Sequence, residues 1–308
     1  MESPKFVFLG NGIEEISLNE LLGSEACNLG IGTLGNTYKV KLEERGKTIV
    51  VKRLKSGSFL ADDNEFKEKV DELGKMVHEN LLSIKAYSCL QNNEGRLLLT
   101  EYMTKGSLAF VLHGDGGQNK FQLSWKLICN IIYGVARGVR YLHSKGPNIF
   151  HGNIKSENVL LNDSYQALLS DFGISHLLKP QFRIVPTSGY SAPELNTSQE
   201  ISQKSDVYSF GVLLMEILTG KQPPNGSMLN KEIQDLPKWM RSMLQKKCAI
   251  DVFDASVLEN KDKEIEDQMM ELLQLALCCT FQNPISRPTM VAVTRQIEVT
   301  CKFMVSLR

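Results

Sequence analysis

The sequence lacks an excess of either charge. Lysine plus arginine total 35 residues, and so do aspartate plus glutamate. A chain without net charge produces no long-range field that favours nucleic acid or an anionic membrane surface. We therefore expect no nucleic acid among its partners.

The sequence also lacks long apolar runs. The longest ones, such as FGVLLMEIL, are broken by charge and stay well short of the roughly 18 apolar residues that indicate a membrane span. The N-terminal MESPKFVFLGNGIEE has no basic start followed by a long apolar run, so it predicts no secretory signal. We expect no membrane span in this chain.

Its cysteines lack the spacing of a metal or disulfide framework. Seven are present, an odd number, and no C-x-x-C pair occurs. This pattern argues against a zinc site or structural disulfides and favours a reducing compartment. Cys278 and Cys279 fall in ELLQLALCCT, whose helical periodicity predicts that they pack in a buried core.

What is present is the pattern of a chain with two different halves. From residue 28 onward, two alternating stretches flank the turn-like EERGK, which predicts a hairpin. A helical pattern at 63–77 and two further strand-like stretches follow. The first hundred residues therefore predict a small antiparallel sheet with one main helix.

The pattern changes after TKGS. LSWKLICNIIYGVARGVRYLHS has apolar residues at helical spacing, and further helices are predicted at 204–219, 234–246 and 264–279. We therefore predict an α+β protein with two lobes. The predicted division is a flank at 1–24, a small lobe at 25–103, a large lobe at 104–300 and a tail at 301–308.

Gly30, Gly32 and Gly35 form a G-x-G-x-x-G pattern, which alone is a weak signal. In a dinucleotide-binding fold the third glycine opens a helix, whereas NTYKVKL after Gly35 is strand-like and leads to Lys52 in IVVK. A hairpin that covers nucleotide phosphates fits this context better. A plain hairpin turn is the alternative.

Further motifs occur in the order and spacing of protein kinases. They are His151 and Asn158 in FHGNIKSENVLLN, the Asp171-Phe172-Gly173 triplet and Ala192-Pro193-Glu194. The chain resembles a protein kinase, and in particular the cytoplasmic kinase domain of plant leucine-rich-repeat receptor-like kinases. LGIGTLGNTYKV, VVKRLK, GVARGVRYLH, SDVYSFGVLLMEILTGK and ALCCTFQNPISRPTM carry this resemblance, which covers residues 6–297.

The resemblance implies the two-lobed protein-kinase fold and a site for ATP with Mg²⁺. Its nucleotide-binding residues would be Gly30, Gly32, Gly35, Thr37, Val50, Lys52, Thr100, Glu101, Met103 and Leu160. The glycines would let the backbone close over the phosphates, and Lys52 would contact them. Thr37, Val50 and Leu160 would enclose adenine, although ordinary core packing also explains these three.

Other implied roles concern the metal, the hinge and the framework. Thr100 would be the gatekeeper, with the main chain of Glu101 and Met103 facing adenine. Asn158 and Asp171 would bind Mg²⁺ through hard oxygen atoms. Two further residues would be architectural: Glu194 would pair with Arg287, and Asp206 would hold the catalytic-loop backbone.

The catalytic positions are Asn153, Lys155 and Asn158, and the first of them is degenerate. The kinase loop H-R-D-L-x-x-x-N has its catalytic aspartate where this chain has Asn153. A neutral amide cannot act as a base, and such catalysis is worth about 10² to 10⁴ in rate. A misaligned loop or rescue by Glu157 is the alternative, which the five-residue spacing to Asn158 opposes.

Lys69 is a second departure. It occupies the place where the family has the glutamate that pairs with the lysine equivalent to Lys52. Two like charges should push the helix outward or turn Lys69 toward solvent. Glu65 or Glu72 could substitute on the same helical face, or the whole face could simply be solvated.

Gly152 is a third departure, because it replaces the arginine that would bind an activation-loop phosphate. Control by phosphorylation of that loop is therefore not expected. Thr187 and Tyr190 match positions in the substrate-facing loop of the family, and we interpret them as structural.

These departures predict a pseudokinase, a signalling module that binds ATP but transfers phosphate poorly. A slow serine/threonine kinase and a nucleotide-free scaffold are the alternatives. The resemblance implies a cytoplasmic location at the inner face of the plasma membrane, either in a longer receptor or as a soluble relative. Its partners would be other receptor-like kinases or signalling proteins.

Overall fold

The computed structural model describes residues 6–9, 16–32, 35–55, 62–90, 95–114, 121–178, 189–197, 200–224, 235–246, 250–255, 257 and 262–303. Thr33, Leu34 and Thr187 lie outside these ranges. The chain divides into two compact units. The first comprises residues 1–103 and 173–183, and the second comprises residues 104–172 and 184–308.

The first unit is built on an antiparallel sheet. Its strands are β1 (Val7–Phe8), β2 (Glu25–Ile31), β3 (Gly35–Leu42), β4 (Lys47–Leu54), β5 (Ala86–Cys89) and β6 (Arg96–Glu101), and its helices are α1 (Leu18–Gly23) and α2 (Asp63–Gly74). The order across the sheet is β1-β5-β6-β4-β3-β2. The predicted sheet with one main helix is confirmed.

One face of this sheet is covered by residues from the predicted flank. Ile16 and Leu21 are 4% and 8% exposed and belong to the same buried cluster as Val40, Ile49 and Leu99. In addition, β1 pairs with β5. The residues predicted as a flank at 1–24 thus contribute a strand, a helix and core side chains to the first unit. Short alternating or helical patterns carry too little signal to predict this from sequence.

Helix α2 is fixed in the first unit at its N-terminal half. The Asp62 side chain caps it by accepting a hydrogen bond from the Asn64 amide. Phe66 is fully buried. The Arg96 guanidinium lies over the Phe66 ring at 4.5 Å and pairs with Asp63 at 2.8 Å. The helix ends at Gly74, before the predicted residue 77.

The second unit is mainly helical, as predicted. Its helices are α3 (Leu108–His113), α4 (Trp125–Ser144), α5 (Gln203–Thr219), α6 (Leu236–Gln245), α7 (Lys263–Cys279) and α8 (Met290–Thr300). The predicted helices at 204–219, 234–246 and 264–279 correspond to α5, α6 and α7. A small antiparallel sheet was not predicted and consists of β7 (Gly106–Ser107), β8 (Val159–Leu161) and β9 (Ala167–Leu169).

Helix α5 forms the centre of the second unit. It begins with a capping box between Ser202 and Ser205 and ends at Gly220 in the left-handed conformation, with φ of 63°. Most of its residues are buried, because α4, α6 and α7 all pack against it. On α7, Cys279 is buried as predicted but Cys278 is exposed, since neighbouring residues on a helix face in different directions.

Within the described residues, no helix combines the length and the hydropathy needed to cross a membrane.

Candidate active-site residues

The loop that carries Asn153 is anchored by a buried carboxylate. Asp206, in the first turn of α5, is 2% exposed. Its Oδ2 accepts a hydrogen bond from the His151 amide at 2.7 Å, and its Oδ1 accepts one from the Gly152 amide at 2.8 Å. The His143 ring nitrogen Nε2 also lies 2.9 Å from Oδ2. The predicted role of Asp206 in holding the catalytic-loop backbone is confirmed.

Asn153 and Asn158 are adjacent in this loop. The Asn158 side-chain amide donates to the Asn153 carbonyl oxygen at 2.8 Å. The Asn153 amide in turn donates to Nδ1 of His151 at 3.2 Å. Because Nδ2 of Asn158 is the donor in this bond, its Oδ1 is the atom with the chemistry to bind a hard cation. These contacts hold the main chain of Asn153 between His151 and Asn158.

Glu157 lies close enough to Tyr190 for its charge to act on that side chain. It is partly buried, and its charge helps to raise the pKa of Tyr190, after the larger effects of burial and of Glu216. The carboxylate of Glu157 therefore acts on the buried Tyr190 side chain. This arrangement disfavours Glu157 as a substitute for the missing aspartate.

His151 is fully buried, and burial lowers its pKa below the ordinary value, although the charges of Asp206 and Asp171 oppose the shift. The imidazole is therefore neutral at physiological pH, and its Nδ1 accepts the hydrogen bond from Asn153. The residue shapes the loop and has no positive charge to offer a phosphate.

Asp171 has an unusual backbone. Its φ of 61° lies in the left-handed region, which costs a non-glycine residue about 1 kcal/mol or more. The next side chain, Phe172, is only 2% exposed. Buried packing next to Asp171 thus holds the carboxylate in a conformation that the free chain would rarely adopt.

Gly173 follows and belongs to the first unit, where it contacts α2. Its φ is 69°, and a Cβ on this residue would come within 2.3 Å of Cδ2 of Leu73. Glycine is required here by both backbone conformation and packing.

Four predicted nucleotide-site residues share one face of the first unit's sheet. Val50 and Lys52 alternate on β4 and therefore point the same way. Thr37 on β3 lies directly opposite Lys52, and Thr100 on β6 lies directly opposite Val50. All four are partly buried. Their neighbour Val51 points to the other face, which the core fills.

The three glycines of the loop differ in what the chain itself requires. A Cβ on Gly35 would meet the Arg53 carbonyl oxygen at 2.3 Å, because β3 and β4 approach closely there. Among the described residues, a Cβ on Gly30 would meet nothing within 4 Å, and on Gly32 its nearest neighbour would be the Gly35 oxygen at 3.4 Å. Gly35 is therefore structural, and contacts with the described residues do not explain Gly30 and Gly32.

The remaining predicted site residues lie at the end of the first unit and in the loop and strand around the 3-10 helix of the second unit. Glu101 ends β6, with an exposed carboxylate that pairs with Lys85 at 2.9 Å, and Met103 is buried at the end of the first unit. In the second unit, Leu160 is partly buried on β8. Lys155 precedes the 3-10 helix at Ser156–Asn158 and is also partly buried.

The sequence model of the family described as "Protein kinase domain" matches residues 24–297. The chain belongs to the protein kinase family. It is 42% identical over 297 residues to the probable inactive receptor kinase RLK902 of Arabidopsis thaliana, covering 96% of this chain and 45% of that protein. It is 38% identical over 301 residues to the leucine-rich-repeat receptor-like protein kinase PXC1 of the same plant, covering 92% and 44%. The kinase domain spans less than half the length of these relatives.

Solved structures give the same result. The kinase domain of maize SIRK1, a sucrose-induced receptor kinase solved with AMP-PNP, superposes with a TM-score of 0.84 at 29% identity, covering 96% of this chain and 99% of that one. The pseudokinase domain of BIR2 superposes with a TM-score of 0.78 at 24% identity, covering 97% and 90%, and it supports the fold alone. The resemblance to plant receptor-like kinases is confirmed.

Lys69, the unusual lysine of the small-lobe helix in this kinase domain, points away from the core. Its Nζ lies 3.0 Å from the Glu72 carboxylate one turn along α2, and both side chains are largely exposed. Helix α2 nevertheless keeps Phe66 and Val70 fully buried. The sequence predicts that the helix moves outward or that Lys69 turns toward solvent. In the structure Lys69 turns toward solvent and pairs with Glu72.

Gly152, which replaces the arginine of the kinase loop, has φ of 77°. This is a conformation that glycine adopts without strain and other residues do not. The sequence shows that the arginine charge is lost at position 152, whereas the positive φ of Gly152 is visible only in the structure.

A buried polar cluster in the second unit was also missed. Glu216 on α5 is fully buried, and its carboxylate bonds to His113 at 2.8 Å, to the Ser156 hydroxyl at 2.9 Å and to the Tyr190 hydroxyl. The only sequence signal is one acidic residue inside the apolar run FGVLLMEIL. The cluster confirms that Tyr190 is structural, since its ring is 2% exposed.

The ion pair between Arg287 and Glu194 was predicted correctly. Both terminal nitrogens of Arg287 donate to the Glu194 carboxylate at 2.7 Å, and Arg287 is 2% exposed. This bidentate pair ties the Ala192-Pro193-Glu194 motif to the segment before α8. It is a feature of the folded kinase domain and does not depend on catalysis.

Proposed function

We propose that this kinase domain is a pseudokinase that binds ATP with Mg²⁺, transfers phosphate poorly or not at all, and signals by presenting surfaces to other proteins. The observation that carries the proposal is the neutral amide of Asn153. Asn158 and Asp206 hold the loop in place around it. The loop geometry of a kinase is therefore retained without the carboxylate that its chemistry uses.

Nucleotide binding is supported by the first unit. Thr37, Val50, Lys52 and Thr100 share the sheet face opposite the buried cluster that contains Val51, and all four are partly buried. Contacts with the described residues give no steric reason for glycine at positions 30 and 32, whereas close approach of a phosphate would provide one.

Metal binding is supported by the second unit. Asn158 and Asp171 offer an amide oxygen and a carboxylate, which suit Mg²⁺. Asp171 is also held at a positive φ, as residues at ligand sites often are. When bound, Mg²⁺ would neutralise phosphate charge. The maize SIRK1 kinase domain was solved with an ATP analogue, which makes ATP the nucleotide to test.

Poor phosphate transfer is supported by two residues. Asn153 cannot take a proton from a substrate hydroxyl, and loss of a general base typically lowers the rate by about 10² to 10⁴. Lys69 cannot form the lysine-glutamate pair on which active kinases depend, and it pairs instead with Glu72.

Binding can be tested by measuring the melting temperature with increasing Mg-ATP. A ligand that binds only the folded state stabilises it by RT ln(1 + [L]/Kd), about 2.7 kcal/mol at a hundredfold excess over Kd. We expect a rise in Tm for the wild type, no rise for Asp171→Asn, and a wild-type response for Asp267→Asn, a matched change at an exposed position. No rise at millimolar Mg-ATP would favour the nucleotide-free scaffold.

Transfer can be tested by measuring phosphorylation of the domain itself and of a general peptide substrate. We expect turnover well below the range of about 1 to 100 s⁻¹ that kinases reach. Turnover within that range, abolished by Asp171→Asn, would overturn the pseudokinase proposal. A low but reproducible rate with the same dependence on Asp171 would favour the slow serine/threonine kinase, which the intact Lys52, Asn158 and Asp171 support.

We further propose that the domain works at the inner face of the plasma membrane, with other receptor-like kinases or signalling proteins as partners. The support is that relatives such as RLK902 and PXC1 bear the names of receptor kinases and extend well beyond the matched region. Fractionation of plant cells that express the natural gene would test this location. Recovery outside the membrane fraction would contradict it.

A further inference from the structure

Helices α4 and α8 of the second unit pack side by side in opposite directions. The Thr294 hydroxyl on α8 donates to the Ala136 carbonyl oxygen on α4 at 3.4 Å. One turn away, the Tyr133 hydroxyl donates to Glu298 at 2.5 Å. The Tyr133 ring also stacks on Phe303 with 4.5 Å between ring centroids. As the residue number falls along α4, the number of the contacting residue on α8 therefore rises, as expected for antiparallel helices.

Cys129 and Cys301 are the next pair in this series. Cys129 lies seven residues before Ala136, and Cys301 lies seven residues after Thr294. Seven helical residues span about 10.5 Å on either helix, so the two cysteines are brought to the same level. Seven residues are also close to two full helical turns, so each cysteine lies on the same face of its helix as the residue that makes the Ala136–Thr294 contact. The antiparallel packing therefore brings together two thiols that are far apart in the sequence.

The two thiols differ in access. Cys129 is 5% exposed, whereas Cys301, at the C-terminal cap of α8, is partly exposed. The neighbouring Cys301 thiol, together with burial, raises the pKa of Cys129 far above the ordinary value. Cys129 thus stays protonated and inaccessible to a dissolved oxidant. Cys301 is the sulfur that such an oxidant can reach.

We propose that Cys129 and Cys301 form a redox-sensitive pair that closes to a disulfide when a hydroperoxide oxidises Cys301. The Cys301 sulfur attacks the peroxide, so that an S–O bond forms, the O–O bond breaks and the thiol proton leaves with the departing oxygen as water. The Cys129 sulfur then attacks Cys301, so that the S–S bond forms, the S–O bond breaks and the Cys129 proton leaves in a second water. Two thiols and one hydrogen peroxide give one disulfide and two waters.

The disulfide would connect the ends of α4 and α8 and close a loop of about 170 residues. It would stabilise the second unit without touching the residues of the candidate active site. In a reducing compartment the thiols are the resting state, and the disulfide would be transient. The device would let the second unit respond to peroxide independently of nucleotide binding or phosphate transfer.

The test uses the folded 308-residue chain with Cys27→Ser and Cys278→Ser, which removes the two thiols that are exposed within the described part of the chain. The protein is treated with hydrogen peroxide, free thiols are alkylated, and the digest is examined by mass spectrometry. We expect a peptide that joins Cys129 to Cys301, a monomer on a non-reducing gel, and loss of the link on addition of a dithiol.

Cys129→Ser is the informative variant, because it leaves Cys301 without a resolving thiol. A 1,3-dione that traps sulfenic acids should label Cys301 at least about tenfold more in this variant than in the parent. Cys301→Ser should leave Cys129 reduced under the same treatment. This second variant tests the proposal even if Cys129→Ser fails to fold. Cys301 oxidised in the parent while Cys129 stays reduced, or a link from Cys301 to a second molecule, would overturn the proposal.

Discussion

Asn153 is the residue on which the proposed loss of phosphate transfer depends. The fold around it is intact: Asp206 holds the loop, and Asn158 is bonded directly to the Asn153 carbonyl. Asparagine and aspartate have nearly the same shape, so the difference lies in charge and proton affinity. A single substitution can therefore test whether the missing carboxylate is what limits phosphate transfer.

We predict that Asn153→Asp raises the rate of phosphorylation by about 10²-fold or more, because it restores a base at the loop position. The measurement is incorporation of labelled phosphate from ATP under single-turnover conditions. Asn153→Ala should stay at the wild-type level. Adding Asp171→Asn should abolish the gain, and a gain of only a few fold would mean that Asn153 is not limiting.

At the scale of elements, the glycines of the β2–β3 hairpin differ in whether the described residues leave room for a side chain. Gly35 is held against the Arg53 carbonyl oxygen, where any side chain would clash. Gly32 has room for a methyl group. The same hairpin thus offers two glycine-to-alanine changes with opposite expected effects.

We predict that Gly35→Ala lowers the Tm by several degrees, since a Cβ 2.3 Å from a carbonyl oxygen must displace backbone. Gly32→Ala should leave the Tm unchanged without ligand but reduce the Tm increase that Mg-ATP produces. Thermal denaturation of both variants with and without Mg-ATP tests this. If Gly32→Ala bound Mg-ATP as well as the wild type, the hairpin would be a plain turn.

The Glu216 cluster connects α5 with the 3-10 helix that ends at Asn158. Burial raises the pKa of Glu216 above its ordinary value of 4.5, while hydrogen bonds with His113, Tyr190 and Ser156 oppose the shift. A carboxyl group of this kind binds its proton more tightly in the folded chain than in the unfolded chain. The folded state therefore gains stability as the pH falls through the raised pKa toward 4.5.

We predict that the stability of the wild type relative to Glu216→Gln increases as the pH is lowered from about 7 to about 5, because glutamine cannot take up the proton. Chemical denaturation at each pH gives this difference, in which the effects of groups that do not contact Glu216 cancel. Glu44→Gln, at an exposed position, should give a flat difference. A flat difference for Glu216→Gln as well would contradict the pKa shift.

At the scale of the whole molecule, Ile16 and Leu21, which precede the kinase motifs in the sequence, belong to the folded core. Leu21 on α1 is 8% exposed and packs in the cluster that covers the sheet of the first unit. Its neighbour Leu22 is 74% exposed. The stability of the first unit thus depends on residues that the sequence analysis placed in a flank.

We predict that Leu21→Ala destabilises the protein by about 2 kcal/mol, the lower end of the range for buried leucines. Leu22→Ala should change the stability by no more than about 0.5 kcal/mol, since it alters an exposed surface. Urea denaturation of both variants measures the difference. Equal effects would mean that α1 does not pack on the sheet.

The periodicity of the sequence predicted α5, α6 and α7 to within two residues at each end. Each has apolar residues repeating at helical spacing over ten residues or more. The same approach missed β7, β8 and β9, because two- and three-residue strands are too short to show any period. It also missed α1 and β1, which are recognised only from their contacts in the folded chain: α1 packs on the sheet of the first unit, and β1 pairs with β5.

The sequence by itself determined where the chain departs from the kinase pattern: an amide at position 153, a lysine at 69 and a glycine at 152 are matters of residue identity. Tertiary structure alone decided that Lys69 turns to Glu72, that Asp171 is held at a positive φ and that Glu216 is buried with three partners. The reason is physical. A side chain's charge is local information, whereas burial, strain and hydrogen bonding depend on residues that meet it only after folding.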